Sequence, residues 1–476
     1  MAEICQQEKT FVTELKRRAL PPLFKDRGLC ATNIMTLFKG KKADSVQDKA
    51  PEPLFALDIG TSKIRLIAGH VSDNGDVEIT YFSQIASSGM VNGSVSDLNK
   101  LSDKISTLIQ QYKQETQSSF SECFIGIAGR HIQSQNEKGL TTVPTHIVTE
   151  ADKENAIEQA RSAKFSEYNH ILHVIPQNYE IDDSTDITNP IGLSALRLGV
   201  GVHLIACNED QENNLKAAFE KLDNKIHIEH VIYNGIAAAD AVLSQEEKEI
   251  GVCLIDFGGG TVNVSVYDRG KLVLTFGMDQ GGSSITRDIA TRFSIPLRMA
   301  EYIKQKFGVA HPFLLDKDVA NVKLAVKDND DRIYVRRDDL STVVGIALNN
   351  FFKIINDKIN RYRQHSGSEL SLGAGYVITG GVALTEGITT LAHNKVTGPD
   401  SSRAKVIIGF PKSLVGENSE KFRSPEMATA VGLLRFGHAL KRDKINKNLV
   451  QKELRKNNGV FSKTVHWVKD WLSKEF

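Results

Sequence analysis

Two short glycine-rich segments, each preceded by an apolar run, hold the side chains best suited to phosphate chemistry. They are Asp58-Ile59-Gly60-Thr61-Ser62-Lys63 and Asp256-Phe257-Gly258-Gly259-Gly260-Thr261. A turn built on glycine exposes backbone N–H groups that phosphate oxygens can reach, and a hydroxyl or an ammonium group can add a further contact. The residues predicted to bind phosphate are Gly60, Thr61, Ser62, Lys63, Gly258, Gly259, Gly260 and Thr261.

The carboxylate that opens each segment is a candidate magnesium ligand. Asp58 and Asp256 both end an apolar run, and carboxylates beside nucleotide phosphates hold Mg²⁺, often through water. Asp256 is also the one candidate catalytic residue, because it could polarise a water molecule; no firm catalytic base is evident. A single D-x-G turn is more often purely structural, so only the combination of segments indicates a nucleotide site.

A third segment, Thr379-Gly380-Gly381, ends a predicted buried strand at 374–381. A diglycine there would let a flat ring lie against the backbone, although it could also be a tight turn. Glu301 and Lys304 are three residues apart on a predicted helix, where they could bind a ribose or adenine edge or form an ordinary ion pair. The predicted adenosine-binding residues are Gly281, Gly282, Glu301, Lys304, Gly380 and Gly381.

The secondary structure predicted around these segments repeats once along the chain. Residues 54–71 read as two strands and 250–276 as three, and each group carries one of the Asp-Gly turns. This repetition indicates two related α/β halves. The intervening segment, about 130–206, reads as an insertion. Its predicted elements are a helix at 149–164, strands at 171–181 and 197–206, and a polar loop at 182–190. Helices are also predicted at 96–116 and 340–364.

Composition narrows the class of protein. The chain has 476 residues, of which 41% are hydrophobic and 25% charged, close to the globular average, and a formal net charge of +1. This near-neutral balance argues against a whole-protein electrostatic attraction to nucleic acid, and none is expected as a partner, although net charge does not exclude a local basic patch. The five cysteines show neither a CxxC motif nor a His/Cys cluster along the sequence, so we expect buried or inert thiols. The close histidine pairs, His170/His173 and His227/His230, are expected to be surface or capping residues rather than metal ligands.

The last 17 residues have the pattern of a helix lying at a lipid surface. At helical spacing, their apolar residues fall on one face, two tryptophans flank it, and lysines border it. The residues predicted to contact the membrane are Phe461, Val465, Trp467, Val468, Trp471, Leu472, Phe476, Lys463, Lys469 and Lys474. The charged segment 440–459 before it is predicted to be a tether. The alternative is a helix that packs on another protein or on its own domain.

The three glycine segments, in this order and spacing, resemble the actin/Hsp70/sugar-kinase superfamily of ATPases. From about Leu54 to Phe476 the chain resembles more closely the FtsA family of bacterial cell-division proteins. The segments that carry this resemblance are HVIPQNYEIDD (173–183), NPIGLSALRL (189–198), GVCLIDFGGGT (251–261), ITGGVALTEGI (378–388), ATAVGLL (428–434) and WLSKEF (471–476).

The resemblance implies an α/β, actin-like fold of two domains in four subdomains (1A, 1C, 2A and 2B) that close on ATP, with a C-terminal amphipathic helix. It implies the following boundaries: extension and linker 1–53, first part of 1A 54–130, inserted 1C (SHS2-like) 131–206, return to 1A 207–249, first part of 2A 250–289, 2B 290–365, return to 2A and end of 1A 366–439, tether 440–459 and membrane-targeting helix 460–476.

The resemblance also implies a function. Members of the family bind ATP with Mg²⁺, associate with themselves, tether FtsZ filaments to the cytoplasmic face of the inner membrane at midcell, and recruit later division proteins through 1C. Asn234 stands where chaperone relatives place a catalytic carboxylate, so we expect slow or negligible hydrolysis. The alternatives are a PilM-like scaffold of pilus assembly and, with less support from the chain, an Hsp70-type or sugar-kinase-type ATPase.

Overall fold

The computed structural model describes residues 52–223, 225–328, 331–367, 370–396 and 405–457. The predicted membrane-targeting helix at 460–476 and all but the last two residues of the predicted extension at 1–53 lie outside the described residues. Within the described part of the chain, no helix is both long and apolar enough to cross a bilayer.

The described strands, in chain order, are β1 (Leu54–Ile59), β2 (Lys63–Val71), β3 (Val77–Ala86), β4 (Met90–Val91), β5 (Ser94–Val95), β6 (Glu122–Ile127), β7 (Gln133–Thr142), β8 (Asn169–Ile181), β9 (Ser184–Ile187), β10 (Arg197–Asn208), β11 (His227–Tyr233), β12 (Val252–Phe257), β13 (Val262–Asp268), β14 (Lys271–Met278), β15 (Lys323–Asp328), β16 (Asp331–Arg336), β17 (Gly375–Thr379), β18 (Val406–Ile408) and β19 (Leu414–Val415). The described α-helices are α1 (Leu98–Thr116), α2 (Glu150–Arg161), α3 (Glu209–Glu220), α4 (Asn234–Val242), α5 (Gln245–Ile250), α6 (Gly282–Phe293), α7 (Leu297–Phe307), α8 (Lys317–Ala320), α9 (Arg337–Ser366), α10 (Ile388–Val396), α11 (Ser419–Phe422) and α12 (Ala428–Asn457).

Two sheets share one strand pattern. In the first, the order is β11-β6-β1-β2-β3-β19, and in the second it is β14-β13-β12-β17-β18. β1 pairs antiparallel with β2 and parallel with β6, and β12 pairs antiparallel with β13 and parallel with β17. The repeated strand–turn–strand units predicted from the sequence are therefore confirmed as the centres of two similar sheets.

Each of these sheets has its own apolar core. β1 and β12 are buried along almost their whole length because helices cover the faces of their sheets. On the first sheet, α1 begins at Asp97, which accepts a hydrogen bond from the backbone N–H of Lys100, and it buries Leu101, Ile105 and Leu108. On the second sheet, α9 buries Leu340, Phe351 and Phe352.

A third sheet, in the order β7-β10-β8-β9, is built from the segment between β6 and α3 and has a separate core with α2. α2 begins with a capping box between Thr149 and Asp152. The prediction of a polar loop over 182–190 is wrong for its centre, because Ser184–Ile187 forms β9 against β8. This strand has no apolar alternation because three of its four residues are exposed.

The helix α12 enters the predicted tether. Gly432 lies so close to α4 that a Cβ atom there would be 1.8 Å from the carbonyl oxygen of Ala237, so the two helices cross in close contact. Residues 440–457 of the predicted tether continue α12. Lys441 pairs with Glu122, and Lys444 pairs with Glu229 at 3.0 Å. A tether that is free of the first sheet would therefore start after Lys444.

Candidate functional site

The two Asp-Gly turns have the same local geometry. In the β1–β2 turn, the N–H of Gly60 donates to the carbonyl oxygen of Lys63 at 3.0 Å, and in the β12–β13 turn the N–H of Gly258 donates to that of Thr261 at 2.9 Å. The sequence therefore predicts both turns correctly. Each turn closes a hairpin whose first strand ends in one of the predicted magnesium ligands.

The two turns also face each other at short range. A Cβ atom on Gly259 would lie 2.1 Å from the Oγ of Ser62, and one on Gly260 would lie 2.2 Å from the Oγ1 of Thr61. Both glycines are thus required for the contact between the two hairpins. Gly259 and Gly260 therefore let the backbone of the β12–β13 turn approach the side chains of the β1–β2 turn.

Between the turns lies a cavity of about 440 Å³. All but one of the residues predicted to bind phosphate, adenosine or magnesium line it, although they come from segments up to 323 residues apart. They are Asp58, Gly60, Thr61, Ser62, Lys63, Asp256, Gly258, Gly259, Gly260, Thr261, Gly282, Glu301, Lys304, Gly380 and Gly381.

The exception, Gly281, supports the wall of the cavity from behind. A Cβ atom there would lie 2.6 Å from the carbonyl oxygen of Gly258. The N–H of Gly282 donates to that same oxygen at 3.0 Å, and the N–H of Ser283 donates to the carbonyl oxygen of Gly259 at 2.7 Å. The start of α6 is therefore fixed against the β12–β13 turn.

The two glycines of the third segment differ in their surroundings. Gly380 has φ +85°, and a Cβ atom there would lie 2.5 Å from the carbonyl oxygen of Phe257, so the fold itself requires glycine. A Cβ atom on Gly381 would meet no protein atom within 4 Å. Gly381 is exposed and lines the cavity, so packing of the chain does not require glycine at this position.

A network of charges joins the β1–β2 hairpin to the turn before α12. Arg65 pairs with Asp58 and with Glu426, and Lys63 also pairs with Glu426, each at 2.9 Å. Burial alone would raise the pKa of Glu426, but the hydrogen bonds and positive charges of Lys63 and Arg65 outweigh it and lower that pKa. The negative charge of Asp58 is therefore balanced by Arg65, and the positive charge of Lys63 is partly balanced by Glu426. Both partners, Arg65 and Glu426, were absent from the sequence prediction.

Asp256 lies at the floor of the cavity and is 5% exposed. Its Oδ2 accepts hydrogen bonds from the side chains of Asn263 at 3.1 Å and Thr429 at 3.3 Å. Burial, together with the nearby charge of Asp58, raises the pKa of Asp256 to about 6 despite these hydrogen bonds. Asp256 forms no ion pair among the described residues, so a positive group placed beside it would stabilise its buried carboxylate in the charged form.

Glu301 and Lys304 form an ion pair of 2.7 Å on α7, and both line the cavity. Lys304 also donates to the carbonyl oxygen of Gly282 at 2.9 Å and to the Oγ1 of Thr286 at 2.7 Å. Burial lowers the pKa of Lys304, and the neighbouring Glu301 only partly offsets this. The structure therefore confirms the ion pair and places it in the wall of the cavity, whereas contact with a ribose or adenine edge stays a prediction.

Asn234 is the first residue of α4 and also lines the cavity, with 7% exposure. Its Oδ1 has no hydrogen-bond partner among the described residues and lies only 2.2 Å from the position that a Cβ atom on Gly126 would take. The only carboxylates that line the cavity are Asp58, Asp256, Glu301 and Glu426, among the described residues. Each of them is hydrogen-bonded or paired as described above.

Two similar sheets with a glycine-lined cavity between their first hairpins define the actin-like ATPase fold. Among solved structures, the chain resembles the one titled "PilM-PilN type IV pilus biogenesis complex", with a TM-score of 0.56 and 16% sequence identity. The match covers 81% of this chain and 98% of that one. At this identity the likeness concerns the fold alone.

The sequence comparisons define the family within this class. The family model described as "Cell division protein FtsA" matches residues 253–432, and the one described as "SHS2 domain inserted in FTSA" matches residues 129–206. The chain is 32% identical to cell division protein FtsA of Escherichia coli (strain K12) over 424 residues, which are 88% of this chain and 97% of that protein. It is 31% identical to FtsA of Buchnera aphidicola subsp. Schizaphis graminum over 420 residues, with the same coverage. The chain belongs to the FtsA family of cell division proteins.

Proposed function

We propose that this chain is an ATP-binding, self-associating, actin-like adaptor that tethers FtsZ filaments to the cytoplasmic membrane at the division septum and recruits later division proteins. The observation that carries its ATP-binding part is the convergence of three glycine segments on one cavity. Membership of the FtsA family supports a role in cell division. The division into 1A, 1C, 2A and 2B, with recruitment through 1C and contact with lipid through 460–476, is part of the same proposal.

In this proposal the two turns hold the phosphates of ATP and the second half holds the adenosine. Residues of the β1–β2 and β12–β13 turns both line the cavity, so backbone N–H groups and hydroxyls of the two turns are available to one chain of phosphates. Gly380 and Gly381 offer bare backbone to a flat ring. Glu301 and Lys304 stand on α7 at the same end and supply polar contacts for the nucleoside.

The oxygen atoms at the floor of the cavity fit Mg²⁺, which prefers oxygen ligands and retains water molecules. Asp256, with its raised pKa, and Asn263, whose buried Oδ1 has no partner among the described residues, would hold the ion through water. Asp58 is a weaker candidate because Arg65 already neutralises it. The ion would supply positive charge to the phosphates. The chain itself contributes Lys63 and the N–H groups of the turns.

A valine at Gly381 is expected to reduce ATP affinity by at least tenfold without lowering the melting temperature of the nucleotide-free protein. The added side chain meets no protein atom at its Cβ, but it enters the space in which the adenine would lie. The measurement is isothermal titration with ATP and Mg²⁺, together with thermal unfolding.

The matched control for this prediction is Gly192→Asn. Gly192 also has open space around it, and asparagine tolerates its φ of +82°. It lies in the inserted sheet region, away from the cavity. Unchanged ATP affinity in Gly381→Val would show that the ring does not lie against this glycine.

Hydrolysis of bound ATP is expected to be slower than roughly 1 s⁻¹, the low end of typical enzyme rates. The amide of Asn234 cannot accept a proton, and Asp58, Asp256, Glu301 and Glu426 are all held by neighbouring groups. The measurement is steady-state phosphate release at saturating ATP, alone and with FtsZ. Faster turnover in either condition would place this chain among true ATPases.

A further inference from the structure

Three side chains capable of binding a metal meet at the point where the chain leaves the inserted sheet and returns to the first half. His170 on β8 and Cys207 on β10 are directly opposite each other in the antiparallel register, so their side chains share one face. Glu212 stands in the first turn of α3, which follows β10 without a gap. The sequence showed no His/Cys cluster because cross-strand neighbours 37 residues apart leave no local pattern.

The donor atoms of these three residues all lie within 4.8 Å of one another. The Sγ of Cys207 is 3.6 Å from the Oε2 of Glu212 and 3.8 Å from the Nε2 of His170, and Nε2 is 2.5 Å from that Oε2. In a tetrahedral zinc site the ligand atoms are about 3.3 to 3.7 Å apart, given bonds of roughly 2.0 to 2.3 Å. The distance from Sγ to Oε2 lies within this range, and the distance from Sγ to Nε2 is about 0.1 Å beyond it.

Two adjustments are needed for the three atoms to share an ion. Sγ is almost equally distant from both ring nitrogens of His170, at 3.8 and 3.9 Å, so the imidazole must turn to aim one of them at the ion. The contact between Nε2 and Oε2 must open by about 1 Å. The side chain of His170 is 38% exposed, so its ring has room to turn.

The surroundings favour a cation of the zinc type over other uses of this cysteine. Burial and the adjacent Glu212 carboxylate raise the pKa of the Cys207 thiol to about 12, so the free thiol is a poor nucleophile. Cys207 has no exposed surface, which also argues against attack on a substrate. Lys216 pairs with the Oε1 of Glu212 at 2.5 Å and leaves Oε2 to face the cluster.

We propose that His170, Cys207 and Glu212 bind a divalent cation that prefers thiolate and imidazole ligands, Zn²⁺ being the best match, with water as the fourth ligand. A sulfur and a nitrogen donor exclude Mg²⁺ and Ca²⁺ as the preferred ions. On binding, the Cys207 thiol releases its proton to solvent and becomes a thiolate ligand. The ion joins β8, β10 and α3, and it thereby stabilises the connection between the inserted sheet and the first half.

The test is a titration of the purified full-length chain with Co²⁺ as a spectroscopic substitute for Zn²⁺, in a buffer with a phosphine reductant. We expect one equivalent of Co²⁺ to give a thiolate-to-cobalt charge-transfer band, and Zn²⁺ to displace it. Cys207→Ser should abolish the band, and His170→Gln should raise the dissociation constant at least tenfold. Zn²⁺ at one hundred times its dissociation constant for the parent chain should raise the melting temperature of that chain by about 2 °C or more.

Matched variants separate this site from other thiols. Cys253→Ser removes a buried free cysteine in the second half, and a Cys5→Ser/Cys30→Ser double variant removes the thiols outside the described residues. Both should retain the band. Absence of the band in the parent chain, or its persistence in Cys207→Ser, would overturn the proposal. Circular dichroism of metal-free His170→Gln shows whether the variant has folded, and a folded variant with unchanged Co²⁺ affinity would also overturn it.

Discussion

A chain that ends at Asn458 is expected to lose binding to anionic lipid vesicles while it retains binding to ATP. The removed residues carry the apolar face, the two tryptophans and the bordering lysines, which together suit burial at the lipid surface. The cavity proposed to bind ATP is lined by residues between Asp58 and Thr429, none of which is removed. The measurement is co-sedimentation with vesicles, with and without FtsZ. FtsZ is expected to pellet with vesicles only when the full chain is present.

Equal pelleting of the full and the shortened chain would remove the membrane part of the proposed function. Two single substitutions sharpen the result. At about 100° per residue, Val468 falls on the apolar face of a helix and His466 on the opposite side. Val468→Glu is therefore expected to reduce vesicle binding strongly, whereas His466→Glu, which adds the same charge two residues away, is expected to reduce it far less. Similar losses in both would indicate a purely electrostatic attraction.

Asp256→Asn is expected to stabilise the nucleotide-free protein above pH 6 and to weaken its binding of ATP in the presence of Mg²⁺. Burial raises the pKa of this carboxyl to about 6, whereas in the unfolded chain it stays near 3.8. Between these values the unfolded state releases its proton first, so the free energy of unfolding falls as pH rises through the interval. Two pKa units correspond to roughly 2–3 kcal/mol, which the asparagine avoids.

The expected result is a melting temperature that exceeds that of the parent chain by about 3 °C or more at pH 7.5 and by little at pH 4. ATP affinity in Mg²⁺ relative to EDTA should fall at least tenfold in the variant. Asp183→Asn, in the exposed turn between β8 and β9, serves as the control and should change neither quantity. A stability gain that is independent of pH would show that ionisation of Asp256 is not its cause.

The sequence predicted the parts of the site that local patterns encode. An apolar run that ends in Asp and a glycine turn specifies a buried strand and its hairpin, so the phosphate-binding candidates were found at both turns. Arg65 and Glu426 were not predicted, because each has a role in the site only through its contact with the other, and they lie 361 residues apart in the sequence. Thr429 and Asn263 were missed for the same reason, since each acts through Asp256. Tertiary contacts of this kind leave no periodicity.

The helices and strands, like the site, were predicted where local sequence patterns encode them. Long apolar segments gave helices and strands that the structure confirms within a few residues, such as α1 and β12. The short strand β9 was missed because its polar residues pair at an exposed edge, where hydrophobic alternation is not required. His173 was expected to be a surface or capping residue; it is buried, and its Nε2 accepts a hydrogen bond from the N–H of Tyr233 at 3.1 Å.

The continuation of α12 past Lys444 gives part of the predicted tether a constant length. Thirteen helical residues from Ile445 to Asn457 span about 20 Å at roughly 1.5 Å per residue. A coil of the same length would sample a wide spread of end-to-end distances and would let the globule approach and leave the lipid freely. A helix would instead keep a constant length, so this stretch of the connection to the proposed lipid-binding residues, 460–476, would add about 20 Å whatever the position of the globule.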